Sequence, residues 1–323
     1  GAAALMSRLE KAAQAITRRA LDIRKDEAVL IIADEPYLDL ARLLFTAAER
    51  KSRHTHLLQL SQPYIHKHAL CPAVERLMQE MNVVLVLTSE SITHTASRRE
   101  ACRRGARFIT MPAITNETFA RIADMDIARI GRLSRKIADI LTIAKVIEIT
   151  APNGTRLRIG AESARGFANT GEATRPGSFS NMPAGEASLS PAASGTEGEA
   201  IVDSGMGVQH DDRDRLILTI REGRCVRIAG GDPALRLRRR LAQHGPEARM
   251  IAKFGIGTND ASRLSGCALE DETVLGNIHL ALGNNLTFGG TNDVPIHLDA
   301  VVYKANVVID GRRIIDGGRL LLE

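Results

Sequence analysis

Three residues near the C-terminal end could do chemistry together: His279, His297 and Asp299. They lie in GNIHLALGNNLTFGGTNDVPIHLD, Gly276–Asp299. Two apolar segments in this stretch, Asn277–Leu282 and Val294–Val302, each read as a buried strand with polar residues at alternate positions. In the first, Ile278, Leu280 and Leu282 share a face and leave His279 on the other. In the second, Ile296, Leu298 and Ala300 share a face, and His297 and Asp299 point together from the opposite one. Singly, each is compatible with a satisfied core histidine or a salt-bridged aspartate. Three ionisable groups on otherwise apolar strands point instead to a shared cation, because burying them unpaired costs several kcal/mol and one metal satisfies all three. Two imidazoles and a carboxylate form a ligand set with positions left open for substrate. The glycines between the strands, Gly283, Gly289 and Gly290, are expected to let backbone come close to whatever is bound.

The elements that must position these residues are sought in the rest of the chain. At 323 residues it suits two domains with sizeable cores. Hydrophobic content of 44% and charged content of 25% are those of a globular protein. Aromatics are only 3% of residues, with no Trp, which argues against a base-stacking nucleic-acid platform. The net charge of +5 is small and spread along the chain. Its densest cluster, Arg236, Arg238, Arg239 and Arg240, follows Asp232-Pro233 with Leu235, Leu237 and Leu241 as apolar positions, and reads as the solvated face of a helix. No nucleic-acid partner is expected. Four scattered cysteines without C-x-x-C spacing give neither a disulfide framework nor a zinc knuckle and suit a reducing compartment. No apolar run approaches the roughly 20 residues of a membrane span, and GAAALMSRLE lacks the apolar core of a secretion signal. A cytoplasmic protein without membrane association is the expectation.

From Leu9 to about Lys145, helix-like and strand-like segments alternate: helices near Ser7–Ile23, Leu38–Arg50, Ala73–Met81 and Ser97–Arg104, and strands Ala28–Ala33, Thr55–Leu60, Val83–Leu87 and Phe108–Met111. Continuous apolar strands in this order predict a parallel sheet covered on both faces. No G-x-G-x-x-G or phosphate-loop sequence follows them. A long helix, Ala128–Ala144, leads into a second half of different character. Val146–Thr150 and Thr155–Ile159 flank Pro152-Asn153-Gly154, a hairpin signal, and similar pairs follow at Leu216–Ile220 with Cys225–Ile228 and Val307–Ile309 with Arg313–Ile315. Residues 161–199, rich in Gly, Ala, Ser and Pro, read as a long loop. The predicted fold is an N-terminal α/β domain, 1–145, followed by a mostly antiparallel β domain, 146–323, that carries the site. Two further groups, the H-x-H pairs His54/His56 and His66/His68 and the run His210, Asp211, Asp212 and Asp214, read as surface or dimer-contact residues and as a solvated turn.

Four short motifs occur in order: N-M-P-A-G-E ending at Glu186, F-G-I-G-T-N at Phe254–Asn259, G-N-I-H-L-A-L-G at Gly276–Gly283, and I-H-L-D at Ile296–Asp299. In this the chain resembles the thermophilic aminopeptidase family, the aminopeptidase T metallopeptidases, over roughly residues 170–320. The resemblance implies a two-metal hydrolase, commonly dimeric, with Glu186, His279, His297 and Asp299 as ligands. The family's remaining glutamate ligand, just before F-G-I-G-T-N, is replaced here by Lys253. A charged ammonium cannot ligate and repels a second cation, so one metal per chain is expected. The same superfamily includes 2,5-dihydroxypyridine dioxygenases, which use a single Fe(II), and a mononuclear His279/His297/Asp299 site is similar to theirs.

Two enzymatic readings follow from the resemblance. In the first, a zinc, cobalt or manganese ion activates water for hydrolysis of a small amide or peptide-like substrate, with Glu186 as ligand or general base and Lys253 holding a substrate carboxylate or oxyanion. In the second, Fe(II) supports opening of a small hydroxylated heteroaromatic ring. A non-catalytic ligand-binding relative is the third possibility that Lys253 leaves open. A homodimer is expected from the resemblance alone.

Overall fold

The computed structural model describes residues 1–61, 63–64, 70–207 and 215–322. His66, His68, His210, Asp211, Asp212 and Asp214 lie outside the described residues. His54 and His56 are exposed, at the start of the strand Thr55–Gln59. Among the described residues no helix is long and apolar enough to cross a membrane.

The chain forms two compact units that it enters alternately. One comprises residues 1–131 with 169–184, the other 132–168 with 185–323. In the first, five parallel strands run in the order Thr55–Gln59, Val29–Ala33, Val83–Leu87, Arg107–Thr110 and Phe179–Asn181. Every residue of Val29–Ala33 and Val83–Leu87 is buried. Strands covered on both faces need apolar residues at successive positions rather than alternate ones, so VLIIA and VVLVL form the centre of this sheet.

The second unit contains two antiparallel sheets. One has eight strands, including the pair Val146–Thr150 and Arg156–Gly160. The other has six, in the order Ser204–Gly205, His297–Val302, Ile278–Gly283, Ile251–Gly257, Glu186–Leu189 and Gly166–Asn169. A single core joins them: Ile147, Ile149, Leu218 and Val307 from the larger sheet pack with Ile256, Ile278, Leu280, Leu298 and Ala300 from the smaller. Alternation then turns the partners of those residues, His279 and Asp299 among them, to the other face of the smaller sheet.

Two expectations are corrected. Residues 161–199 are not a loop but contribute the strands Gly166–Asn169, Phe179–Asn181, Glu186–Leu189 and the first part of Ala192–Val202. Their small residues serve close approach: a Cβ at Gly198 would stand 2.3 Å from the Arg156 carbonyl oxygen. The arginine-bearing helix is present at Asp232–Ala242, but Leu235 is exposed and its buried side is formed by Ala234, Leu237 and Leu241.

Candidate metal centre

The six-stranded sheet places the candidate residues by register. His279 stands opposite Gly255 and Val301. One pleat along, Lys253, Ala281 and Asp299 lie in one row across three strands, and beyond them His297 pairs with Gly283. Glu186 begins the neighbouring strand, opposite Gly257. All these side chains project from one face, and the residues between them are small. Ala281 in the middle of its row leaves Lys253 room to reach Asp299.

The glycines of F-G-I-G-T-N have separate roles. A Cβ on Gly255 would lie 2.1 Å from Nε2 of His279, so the imidazole lies directly against that glycine. A Cβ on Gly257 would lie 2.1 Å from the Val274 carbonyl oxygen and 2.8 Å from that of Glu272. Gly257 thereby lets residues 272–274 cross close over the sheet, bringing Glu272 into the centre. In the later loop, Gly289 adopts φ +77° and closes a short turn, whereas a Cβ on Gly290 would meet the Asn285 side chain at 2.1 Å. Gly290 thus makes room for a bracing asparagine rather than for a bound group. Asn285 donates to Ser190 Oγ at 3.0 Å and accepts from the Asn292 amide at 2.7 Å, fixing the loop.

The side chains form one buried network. Lys253 Nζ lies 2.9 Å from Asp299 Oδ1, 3.1 Å from Glu186 Oε2 and 3.3 Å from Glu272 Oε2. Its three protons therefore have three carboxylates facing them. His279 Nε2 is 2.6 Å from Glu186 Oε2, and His297 Nε2 is 3.4 Å from Asp299 Oδ2. Side-chain exposure is 3% for Lys253, 6% for Glu186 and Glu272, and 0% for His279, so water does not screen these charges. The structure thus brings together all five residues singled out in the sequence. It adds Glu272, which the sequence reading missed.

Electrostatics follow from that packing. Burial draws the Lys253 ammonium down, but Asp299, Glu186 and Glu272 outweigh it and hold the lysine charged, well above its ordinary value. Burial pushes the Glu186 carboxyl up, and Lys253 and His279 more than reverse this, leaving it at about 2. Asp299 is likewise raised by burial and brought well below its usual range by Lys253 and His297. Glu272 goes the other way: burial, then the Asp299 charge, push it well up. Burial and the Lys253 charge lower the His279 imidazole, which favours its neutral, ligating form.

The donor set fits a divalent cation on three counts. Glu186, Glu272 and His279 offer atoms that all lie within 4.8 Å of one another, the one such group among the described residues. His279 Nδ1 is buried without a hydrogen-bond partner. His297 Nδ1, 2.7 Å from the Asn284 carbonyl, must be the donor there, since a carbonyl only accepts. With Nδ1 engaged by that carbonyl, Nε2 is the ring nitrogen turned to Asp299, an arrangement typical of metal-binding histidines. With its carboxylates ionised, the cluster of Glu186, Glu272 and Asp299 around Lys253 carries a formal charge that one divalent ion neutralises and two would exceed.

A model of the 2,5-dihydroxypyridine 5,6-dioxygenase (NicX) family matches residues 17–322, nearly the whole chain. The chain belongs to this family. Comparison with solved structures finds the same fold in two enzymes. The 2,5-dihydroxypyridine dioxygenase of Pseudomonas putida KT2440 superposes with a TM-score of 0.80 at 18% identity, covering 98% of this chain and 97% of that one. AmpT of Thermus thermophilus superposes with a TM-score of 0.68 at 17% identity, covering 98% and 100%. At these identities the two superpositions speak for the fold. No curated protein sequence matches. As a member of this family the chain is a metalloenzyme, and its architecture is mixed α/β with antiparallel β sheets.

Proposed function

We propose that the protein is a mononuclear metal-dependent dioxygenase that opens a small hydroxylated heteroaromatic ring. The observation that carries this reading is the position of Lys253, whose ammonium stands among Glu186, Glu272 and Asp299 where a second cation would otherwise be needed. An ammonium at that position speaks against a hydrolase that splits its work between two metals. Membership of the 2,5-dihydroxypyridine 5,6-dioxygenase family supports the same choice.

Fe(II) held by this cluster would bring O2 and a hydroxylated substrate together and carry electrons between them. The chain's own residues supply the rest. His279 and His297, with Asp299 or the Glu186/Glu272 pair, provide neutral and anionic donors. Asn284 fixes the His297 ring through its carbonyl. Lys253 balances part of the carboxylate charge and holds Glu186 and Asp299 ionised. Phe288, whose ring centroid is 5.8 Å from that of His297 and 5.5 Å from Lys253 Nζ, offers an apolar wall beside the centre. In this reaction one ring carbon–carbon bond breaks and both atoms of O2 enter the product. The ring supplies the electrons, so no external reductant is required.

The carboxylate-rich group Glu186, Glu272 and His279 favours a second reading. It is metal-assisted hydrolysis of a small amide or peptide-like substrate, with Glu186 taking a proton from water. The two are separated by loading the metal-free protein anaerobically with Fe(II) or with Zn, Co or Mn. O2 uptake stoichiometric with loss of 2,5-dihydroxypyridine supports the dioxygenase. Release of product from an aminoacyl anilide without O2 uptake refutes it in favour of the hydrolase.

A further inference from the structure

The chain has only seven phenylalanines in 323 residues, yet two of them meet beside the candidate centre. Phe288 and Phe167 stand edge to face, 6.2 Å apart at an interplanar angle of 82°. Phe288 is held by the short turn Leu286–Phe288 and the braced asparagines that follow the His279 strand. Phe167 lies on the outer strand Gly166–Asn169, half-buried, and a Cβ on Gly289 would stand 3.5 Å from its ring tip. Two residues before it, and so directed the same way along an extended chain, is Arg165. Its guanidinium carbon is 5.6 Å from the Phe167 ring centroid.

Arg165 is exposed, and among the described residues no carboxylate pairs with it. Lys253, the other cation near this wall, is buried and already faced by three carboxylates. The aromatic pair therefore runs from a committed, buried cation at one end to an uncommitted, exposed one at the other. Arg165 presents a planar fork of donors that suits a carboxylate.

We propose that Arg165 is an anion-binding subsite, and that the substrate is an aromatic ring carrying a carboxylate, seated along Phe288 and Phe167 with its acid group at Arg165. This rests on the ring-opening reading and narrows it, since a neutral dihydroxypyridine would leave Arg165 unused. Arg165 is assigned to specificity and not to the chemical step, because nothing places it against the metal donors.

The test is equilibrium binding to the full chain, loaded with Fe(II) and kept free of O2, followed by isothermal titration. The probes are 2,5-dihydroxypyridine, its ring-carboxylate derivative and its propanoate derivative. The expected result is that at least one acid binds about tenfold or more tightly than the neutral ring. A charge-assisted contact of ordinary strength gives that factor. Arg165→Gln should abolish the advantage while leaving binding of the neutral ring unchanged, and Arg165→Lys should keep part of it. Equal binding of neutral and acidic rings, or an advantage that survives in Arg165→Gln, overturns the inference and leaves the ring-opening reading standing. If no ring binds at all, both fall together.

Discussion

Replacing Lys253 with methionine tests the electrostatic heart of the site. The substitution keeps most of the side chain's length and removes its charge. At the observed separations of 2.9, 3.1 and 3.3 Å, each carboxylate attracts the ammonium by about 5 kcal/mol at an effective dielectric near 20. Desolvation of four buried charges offsets most of that sum, which is why removing one partner of a buried ion pair typically costs about 3–5 kcal/mol. Glu272, already pushed well up towards its neutral form, can take up a proton when the ammonium is lost. The cost should therefore fall at the lower end, about 3 kcal/mol. Urea unfolding in chelator at neutral pH measures it. Adding a divalent metal should recover much of the loss, since a cation then returns to the cluster. If metal-free Lys253→Met loses less than about 1 kcal/mol, as an exposed pair would, the carboxylates are not held by Lys253 and the argument fails.

Three further outcomes are expected. Metal-free protein should lose stability, on the order of 2 kcal/mol, as pH falls from about 5 towards 2. The sign follows from Glu186, held at about 2 when folded: its contribution is complete above the unfolded carboxyl value and lost as acid protonates the folded form. Asp299 acts in the same direction, and unfolding curves at stepped pH would show no such slope if neither carboxylate were held down. Gly255→Ala places a methyl 2.1 Å from His279 Nε2 in a buried position. It should cost about 1–3 kcal/mol through overpacking and weaken metal binding at least tenfold, and unaltered affinity in a metal titration would mean the ring is free to move. Finally, a thiol reagent at pH 8 should label exposed Cys71 quickly and leave Cys225, buried and with its thiol pushed up to about 12, untouched until the protein unfolds.

The features legible in the sequence are those that alternation and continuous burial write directly. VLIIA and VVLVL announced central parallel strands, and IHLALG and IHLDAVV announced strands with one apolar and one ligand-bearing face. What stayed hidden depends on tertiary contact. Glu272 ends the acidic run Glu270-Asp271-Glu272, and nothing in such a run distinguishes solvated from buried carboxylates. In the fold all three are buried. Glu270 accepts from the Arg263 amide, Asp271 from Ser204 Oγ and Tyr303 Oη, and Glu272 alone turns to Lys253. The strand Ala192–Val202 begins AASGTEGE, with no apolar alternation to mark it, and is held by ladder bonds to Arg156–Gly160 and Leu216–Arg221. Gly255 and Gly257 showed as motif letters, but their purposes, seating an imidazole and admitting the Glu272 backbone, exist only across strands.

The most direct test of a single-cation centre is elemental analysis of protein purified without O2, reported as metal per chain and repeated on His279→Ala. The account predicts about one divalent ion per wild-type chain and almost none in the variant. Two ions per chain, or full occupancy without His279, would contradict it.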